Sequence, residues 1–207
     1  MPQQESIETR TLSQFKSALI SGGARPNLFE VQVDFPNDVD LGIQGDNDAT
    51  MNDTDVQNKF RFLCKAAALP ASNVANIDIP FRGRTFKVAG DRTVETWTIT
   101  VINDEQFNHY KSFQAWSQNI GQYGDSSGLV NPNDYMGNAT VYQLGRSKAG
   151  SESAATASTS DANRILAEYK FVDIWPSTVS NIDLSYDSSD TIEEFTVDFQ
   201  VQYWYPV

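Results

Sequence analysis

Cysteine and histidine each occur once in this 207-residue chain, as Cys64 and His109. A single cysteine cannot close an internal disulfide, which fits a reducing compartment. A single histidine with no second His or Cys partner cannot build a zinc site or a histidine-based triad. His109 lies beside an apolar helical stripe and Cys64 on the inward side of an alternating run, so both are expected as packed side chains. Long apolar runs are missing too. None approaches the roughly 18 residues of a membrane helix. The opening "MPQQESIETR" has no apolar core of the kind a secretory leader needs. The glycines match neither G-x-x-x-x-G-K-[ST] nor G-x-G-x-x-G, so no phosphate-cradling loop is expected.

Basic residues are scarce and unevenly placed. Fifteen Lys and Arg stand against 27 Asp and Glu, a formal net charge of −12. That field argues against wrapping nucleic acid, which needs clustered Lys and Arg, and favours solubility before any assembly. From Phe171 to Val207 there are seven acids and no base, and from Pro36 to Asn58 six Asp and no base. Arg82, Arg84, Lys87 and Arg92 form a local basic run between them. Segregation of this kind suits self-association.

What is abundant is alternation. Hydrophobic residues make up 40% of the chain, enough for a core of one domain or a tight pair. "TRTLSQFKSALIS" spaces Leu12, Phe15 and Leu19 as one short helix, ended by "SGGARPN". In "LFEVQVDF", Phe29, Val31, Val33 and Phe35 take one face, and Glu30, Gln32 and Asp34 the other, as in a half-buried strand. Pro36 to Asn58 is aperiodic and predicts an exposed insertion loop. "KFRFLCKA" predicts a strand with Phe60, Phe62 and Cys64 inward, and "LPASNV" a turn. "NIDIPFRGRTFKV" predicts a strand pair broken at "RGR". "AGDR" then predicts a turn feeding "TVETWTITVI", with Trp97, Ile99 and Val101 inward and Thr96, Thr98 and Thr100 outward.

Asn103 or Asp104 is expected to cap a helix that presents Phe107, Tyr110, Phe113 and Ile120 on one side, with Trp116 close by. "GQYGDSSGLVNPNDYMG" predicts loop, "NATVYQLG" a short strand, and the Ser/Ala-rich stretch from Ser147 to Asn163 an excursion. "ILAEYKFVDIWPSTV" predicts a strand ending near Pro176. The remainder predicts a hairpin-like pair whose last strand turns Phe195, Val197, Phe199, Val201 and Tyr203 inward. Its outward set is Glu194, Thr196, Asp198, Gln200 and Gln202. Some seven or eight strands, one main helix and no βαβ alternation point to an antiparallel β-sandwich or barrel with a packed helix.

No constellation of catalytic type stands out. Asp46, Asp48 and Thr50 imitate the start of a calcium loop, but Met51 and Gln57 replace the glycine and glutamate it needs. Glu193, Glu194, Asp198 and Asp104 offer carboxylates of the sort a glycosidase pairs, without a sugar platform beside them. Asn52 and Asn138 head formal glycosylation sequons, which matter only in a secreted chain. No catalytic residue, metal site or cofactor is expected.

Four longer motifs go further. "ARPNLFEVQV", "CKAAALPASNV", "VAGDRTVETWTITVINDE" and "IWPSTVSNIDLSYDSSDTIEEFTV" occur in that order. Together they resemble the tail tube proteins of T-even-like contractile-tailed bacteriophages, from about Ala24 to "QYWYPV". The resemblance departs at the insertions of 36–58 and 147–163. It implies an N-terminal arm and short helix over 1–23 and a single tail-tube β domain over 24–207. It further implies hexameric rings stacked into a tube inside a sheath, with strands joining across subunits into a β-barrel that lines the bore. Related tubes occur in bacterial secretion machines of the haemolysin-coregulated type. The implied partners are further copies of the chain and the tail sheath, baseplate and tail terminator proteins. Tape measure protein and genomic DNA would pass through the bore without tight binding. No membrane partner is implied, and the implied location is the virion tail, assembled in the host cytoplasm.

On that basis the candidates for lining the bore are Glu30, Gln32, Asp34, Thr98, Thr100, Glu194, Thr196, Asp198, Gln200 and Gln202. The candidates for ring stacking are Arg82, Arg84, Lys87, Asp91 and Arg92, with the "AGDR" turn at a ring end. The alternatives are a secretion or injection tube carrying protein cargo and a tail-associated carbohydrate-binding or hydrolytic β-sandwich.

Overall fold

A computed structural model describes residues 12–19, 23–36, 60–125, 127–148, 163–187 and 190–207. The acidic stretch of 37–59, with Asp46, Asp48 and Thr50, and most of the Ser/Ala-rich stretch lie outside the described residues. Two compact units are present.

The smaller unit comprises residues 1–29 and 143–167. Helix α1 (Leu12–Ala18) forms where the sequence predicts it, with Leu12 and Phe15 exposed. Gln143 donates its side-chain amide to the carbonyls of Arg25 and Leu28 at 2.7 and 2.8 Å. The Leu144 amide also donates to Leu28 O. The segment after α1 is thus held by main-chain acceptors.

The larger unit holds the core and the candidate site. In chain order the strands are β1 (Phe29–Asp34), β2 (Cys64–Ala67), β3 (Ser72–Phe81), β4 (Arg84–Val94) and β5 (Trp97–Ile102). After them come β6 (Gly137–Lys148), β7 (Asn163–Val179), β8 (Glu194–Gln200) and β9 (Tyr203–Pro206). The main sheet runs β1-β6-β7-β8-β5-β2, with β9 also on β7, while β3 and β4 form a separate hairpin. The registered pairs β2–β5, β5–β8, β7–β8 and β7–β9 are antiparallel, as the sequence predicts for a mainly β chain with one packed helix. Among the described residues the sheet does not close into a barrel: β1 and β2 end it.

Strict alternation buries Val31 and Val33 on β1, Trp97, Ile99 and Val101 on β5, and Phe195, Val197 and Phe199 on β8. Helix α2 (Asn108–Ile120) lies on this apolar side. Phe113 touches Phe35, Phe60, Phe195 and Phe199 with ring centroids 5.5–6.2 Å apart. Trp116 meets Phe35 and Phe199 and donates its indole N–H to Tyr135 O at 2.7 Å. The buried stripe of α2 is His109, Ser112, Phe113 and Trp116, not the Phe107–Tyr110–Phe113–Ile120 set expected from spacing. The cause is local. Phe107 is left-handed with φ 58°, so the helix begins one residue later, and Asp104 Oδ1 accepts the Asn108 amide at 2.9 Å. His109 packs edge-on against Phe60, as a core side chain.

Several expectations are corrected. Phe60–Leu63 is a helical turn, so Phe60 and Cys64, four apart, are buried while Phe62 is 84% exposed. "LPASNV" is not a turn throughout, since β3 starts at Ser72. "AGDR" is not a turn either: Gly90, Asp91 and Arg92 sit within β4, where a bulge between Val74 and Asn76 shifts the register. Gly90 is needed there because a Cβ would lie 3.1 Å from Ala75 O. The turn that does join β3 to β4 is Arg82-Gly83, both at positive φ (44° and 80°), the type I′ geometry of tight hairpins. The stretch expected as loop after α2 contains a one-turn helix α3 (Pro132–Tyr135). β7 does not stop at Pro176 but runs on to Val179.

In place of the expected hairpin-like pair, β8 and β9 follow β7, and the described residues between β7 and β8 hold no strand. β8 and β9 are two arms of one path along β7. Trp175 opposes Gln200 and Val172 opposes Tyr203, leaving Asp173–Ile174 and Val201–Gln202 between the arms. Asp173 is bent there with φ 54°. The inward phase therefore slips on both strands, from Phe171 to Ile174 and from Phe199 to Trp204. This is why Val201 and Tyr203 do not continue the buried face, and Tyr203 is half exposed.

Candidate functional site

Two surfaces carry the residues singled out in the sequence. The first is the polar side of β5 and β8. Register places Thr98 opposite Asp198, Thr100 opposite Thr196 and Ile102 opposite Glu194, so these side chains form one patch. Thr98 Oγ1 donates to Asp198 Oδ1 at 2.6 Å. Gln200 Nε2 reaches Thr96 Oγ1 at 3.4 Å. Gln202 falls in the bend after β8, outside this ladder. Glu30, Gln32 and Asp34 alternate with buried Val31 and Val33 on β1, three strand steps from β8, and Gln32 Nε2 donates to Asp34 Oδ1 at 2.9 Å.

Two cations that the sequence reading left unused belong to these patches. Lys65 on β2 pairs with Glu194, and Arg61 pairs with Glu30. Asp34 and Asp198 have no ion pair among the described residues and leave the two patches mildly negative. The signal for Lys65 was its place directly after inward-facing Cys64. That for Arg61 was hidden by reading its helical turn as a strand.

The second surface is the β3–β4 hairpin. Opposed residues share a face, so Ile77 and Val88, Ile79 and Phe86, and Phe81 and Arg84 line one side. Asn76 and Ala89, Asp78 and Lys87, and Pro80 and Thr85 line the other. The apolar side is uncovered: Ile77, Ile79, Phe81 and Phe86 are 46–65% exposed. Arg82 and Arg84 stand at the tip, with the Arg82 guanidinium 5.5 Å from the Phe81 ring centroid. Lys87 lies midway along β4. Asp91 and Arg92 lie at the root, where Arg92 donates to Ser72 Oγ. The five stacking candidates thus spread over one hairpin instead of clustering at a turn.

The four carboxylates weighed as a catalytic pair are each held by other contacts. Glu193 accepts from Asn103 at 2.9 Å, Glu194 pairs with Lys65, Asp198 accepts from Thr98, and Asp104 holds the start of α2. Among the described residues no group of His, Cys, Asp and Glu could hold a metal ion, and no helix is long and apolar enough to cross a membrane. Burial pushes the Cys64 thiol up to about 12, away from the range of a nucleophile.

Comparison with known proteins gives the chain's kinship. The phage tail tube protein family model matches residues 24–206. Tail tube protein gp19 of Enterobacteria phage T4 is 33% identical over 181 residues, covering 87% of this chain and 90% of that protein. The tail tube protein of Serratia phage KSP90 is 22% identical over 193 residues, covering 92% and 93%. Among solved structures, a chain of the anti-feeding prophage baseplate superposes with TM-score 0.57 at 10% identity, covering 91% of this chain and 97% of that one. A chain of an extracellular contractile injection system sheath–tube complex gives 0.50 at 12% identity, covering 96% and 99%. The structural likenesses speak to the fold, and the sequence matches to kinship: the chain belongs to the phage tail tube protein family.

Proposed function

We propose that this chain is the repeating structural subunit of a phage tail tube, closing hexameric rings that stack into a channel for DNA ejection. The observation that carries the proposal is the open sheet, ended by β1 and β2 with no partner strand beyond them among the described residues. Unpaired edges invite uncontrolled pairing unless something covers them, and joining edges from copy to copy into a closed barrel removes them. In this arrangement the Thr98, Thr100, Thr196, Asp198 and Gln200 side of the sheet faces the bore, with Glu30, Gln32 and Asp34 continuing the wall. A wall rich in Lys or Arg would gain phosphate affinity by counterion release and stall the DNA. Hydroxyls, amides and a slight negative excess give only replaceable contacts, and salt screens the repulsion over about 8–10 Å. Sheath, baseplate and terminator proteins would meet the outside and ends of such a tube. Tape measure protein and genome would traverse it.

Negative-stain images of the purified chain test the proposal: stacked rings with an open bore are expected. Persistent monomers that bind glycans would overturn it in favour of a carbohydrate-binding β-sandwich. A tube for protein cargo is the second reading, favoured by the fold shared with injection-system chains. The sequence kinship with phage tail tube proteins favours DNA.

A further inference from the structure

Among the described residues the hairpin's apolar face has no partner, and the same unit offers a surface that matches it. Between β7 and β8 the chain makes an irregular excursion whose described residues are 180–187 and 190–193. A concavity of about 290 Å³ opens there, lined by Asp183, Leu184, Ile192, Glu193 and Glu194 among others. Leu184, Tyr186 and Ile192 are exposed at 84%, 108% and 71%, as uncovered as the hairpin face. The charges are opposite. Asp183, Asp187 and Asp190 stand beside these apolar groups, and no base lies anywhere from Phe171 to the last residue. The hairpin offers Arg82 and Arg84 beside Phe81 and Phe86.

We propose, on the footing of the tube reading, that the tip of the β3–β4 hairpin of one copy docks into the acidic, apolar-lined concavity before β8 of a second copy. Phe81 and Phe86 would cover Leu184 and Ile192, and Arg82 and Arg84 would reach Asp183 and Asp187. The two surfaces differ, so the contact is head-to-tail: each copy uses its own hairpin on one neighbour and offers its own concavity to another. A chain at −12 repels its copies on average. Placing Arg82 and Arg84 at the end of a ten-residue strand pair, which reaches about 30 Å at the usual strand rise, puts attraction at one defined point. Other occupants of the hairpin face, a sheath protein above all, would not require an acidic counterpart on this same chain.

Disulfide trapping tests this directly, because Cys64 is buried and leaves introduced thiols as the reactive ones. Tubes grown from a mixture of Phe81→Cys and Leu184→Cys chains should give a disulfide-linked dimer on mild oxidation. The yield should be at least about tenfold above either variant alone. Both positions are exposed, so neither change disturbs the core. In parallel, Arg82→Glu with Arg84→Glu should cut tube growth about tenfold, and mixing in Asp183→Lys with Asp187→Lys chains should restore it. Tubes that form normally but give no mixed cross-link and no charge-swap rescue would overturn this docking while leaving the tube reading intact. Cross-linking of Phe81→Cys to itself would overturn it in favour of a symmetric hairpin contact. Failure of the unaltered chain to form tubes at any salt concentration would overturn the tube reading and this docking with it.

Discussion

Trp97 on β5 stacks face to face on Phe171 of β7, with ring centroids 4.3 Å apart and planes 13° from parallel. The two strands are not neighbours: β8 runs between them, and its Phe199, opposite Trp97 in register, touches the same indole at 5.4 Å. The bend at Asp173 lies just beyond Phe171 on β7.

Trp97→Ala should therefore be among the most damaging core changes. Loss of a buried Trp costs about 3–5 kcal/mol. Urea unfolding should show a lower midpoint with an unchanged slope. Trp97→Phe should cost markedly less, since the indole Nε1 has no hydrogen-bond partner among the described residues and only ring area is lost.

Gly137 starts β6 where the backbone passes close to β1 and α2. A Cβ there would lie 2.5 Å from Asp34 O and 3.1 Å from the Trp116 ring. Gly137→Ala should destabilise the fold by about 1–3 kcal/mol, as overpacking does. Gly121→Ala, where a Cβ meets nothing within 4 Å, should fall well short of that. Thermal unfolding of the two variants side by side checks the contrast.

Cys64 should make stability fall in alkali. Its thiol ionises at an ordinary 9.0 when unfolded and is raised by burial to about 12 in the fold. The native state holds the proton more tightly, so its contribution is complete below pH 9 and is lost as pH rises from 9 towards 12. At pH 10 the unaltered chain should lose about 1.4 kcal/mol more than Cys64→Ala does, relative to pH 8. Denaturant midpoints of both chains at the two pH values give the difference. Alkylation of the native thiol should be slow until the chain is unfolded.

Asp198→Lys should leave assembly intact and slow genome delivery, with relief at high salt. The change removes the Thr98 hydrogen bond at an exposed position, where such a bond is worth about 0.5–1.5 kcal/mol. Tail tubes should therefore look normal in micrographs while DNA release lags. Normal release would show that this side of the sheet does not line the bore.

The sequence was legible wherever burial was one-sided. β1, β5 and β8 pack one face only, so their apolar residues recur every second position and their phase can be read directly. It was misread where that rule had nothing to act on. The β3–β4 hairpin buries neither face, so Gly90-Asp91-Arg92 looked like a turn although the backbone pairs throughout. In "FRFLC" the apolar residues suit both a period of two and a helical step of four, and only Phe60 and Cys64, on the helical step, are buried. At Val201 the period was extrapolated across a bend that is set by β7, a strand far away in sequence. The polar patch of Thr98, Thr100, Thr196 and Asp198 could be anticipated from alternation. Its Lys65 counter-charge needed the β2–β5 and β5–β8 registers to appear.

A tube that is driven forward is a loaded object, and the path of β7 decides how this subunit carries load. Two ladders, Tyr169–Val172 against β9 and Trp175–Val179 against β8, run in series along one continuous backbone. A pull along that backbone strains every rung of a ladder together, as in a lap joint, instead of peeling them one at a time. The bend at Asp173 would then act as the compliant point between two stiff arms. Force on the subunit should straighten it there before any rung parts.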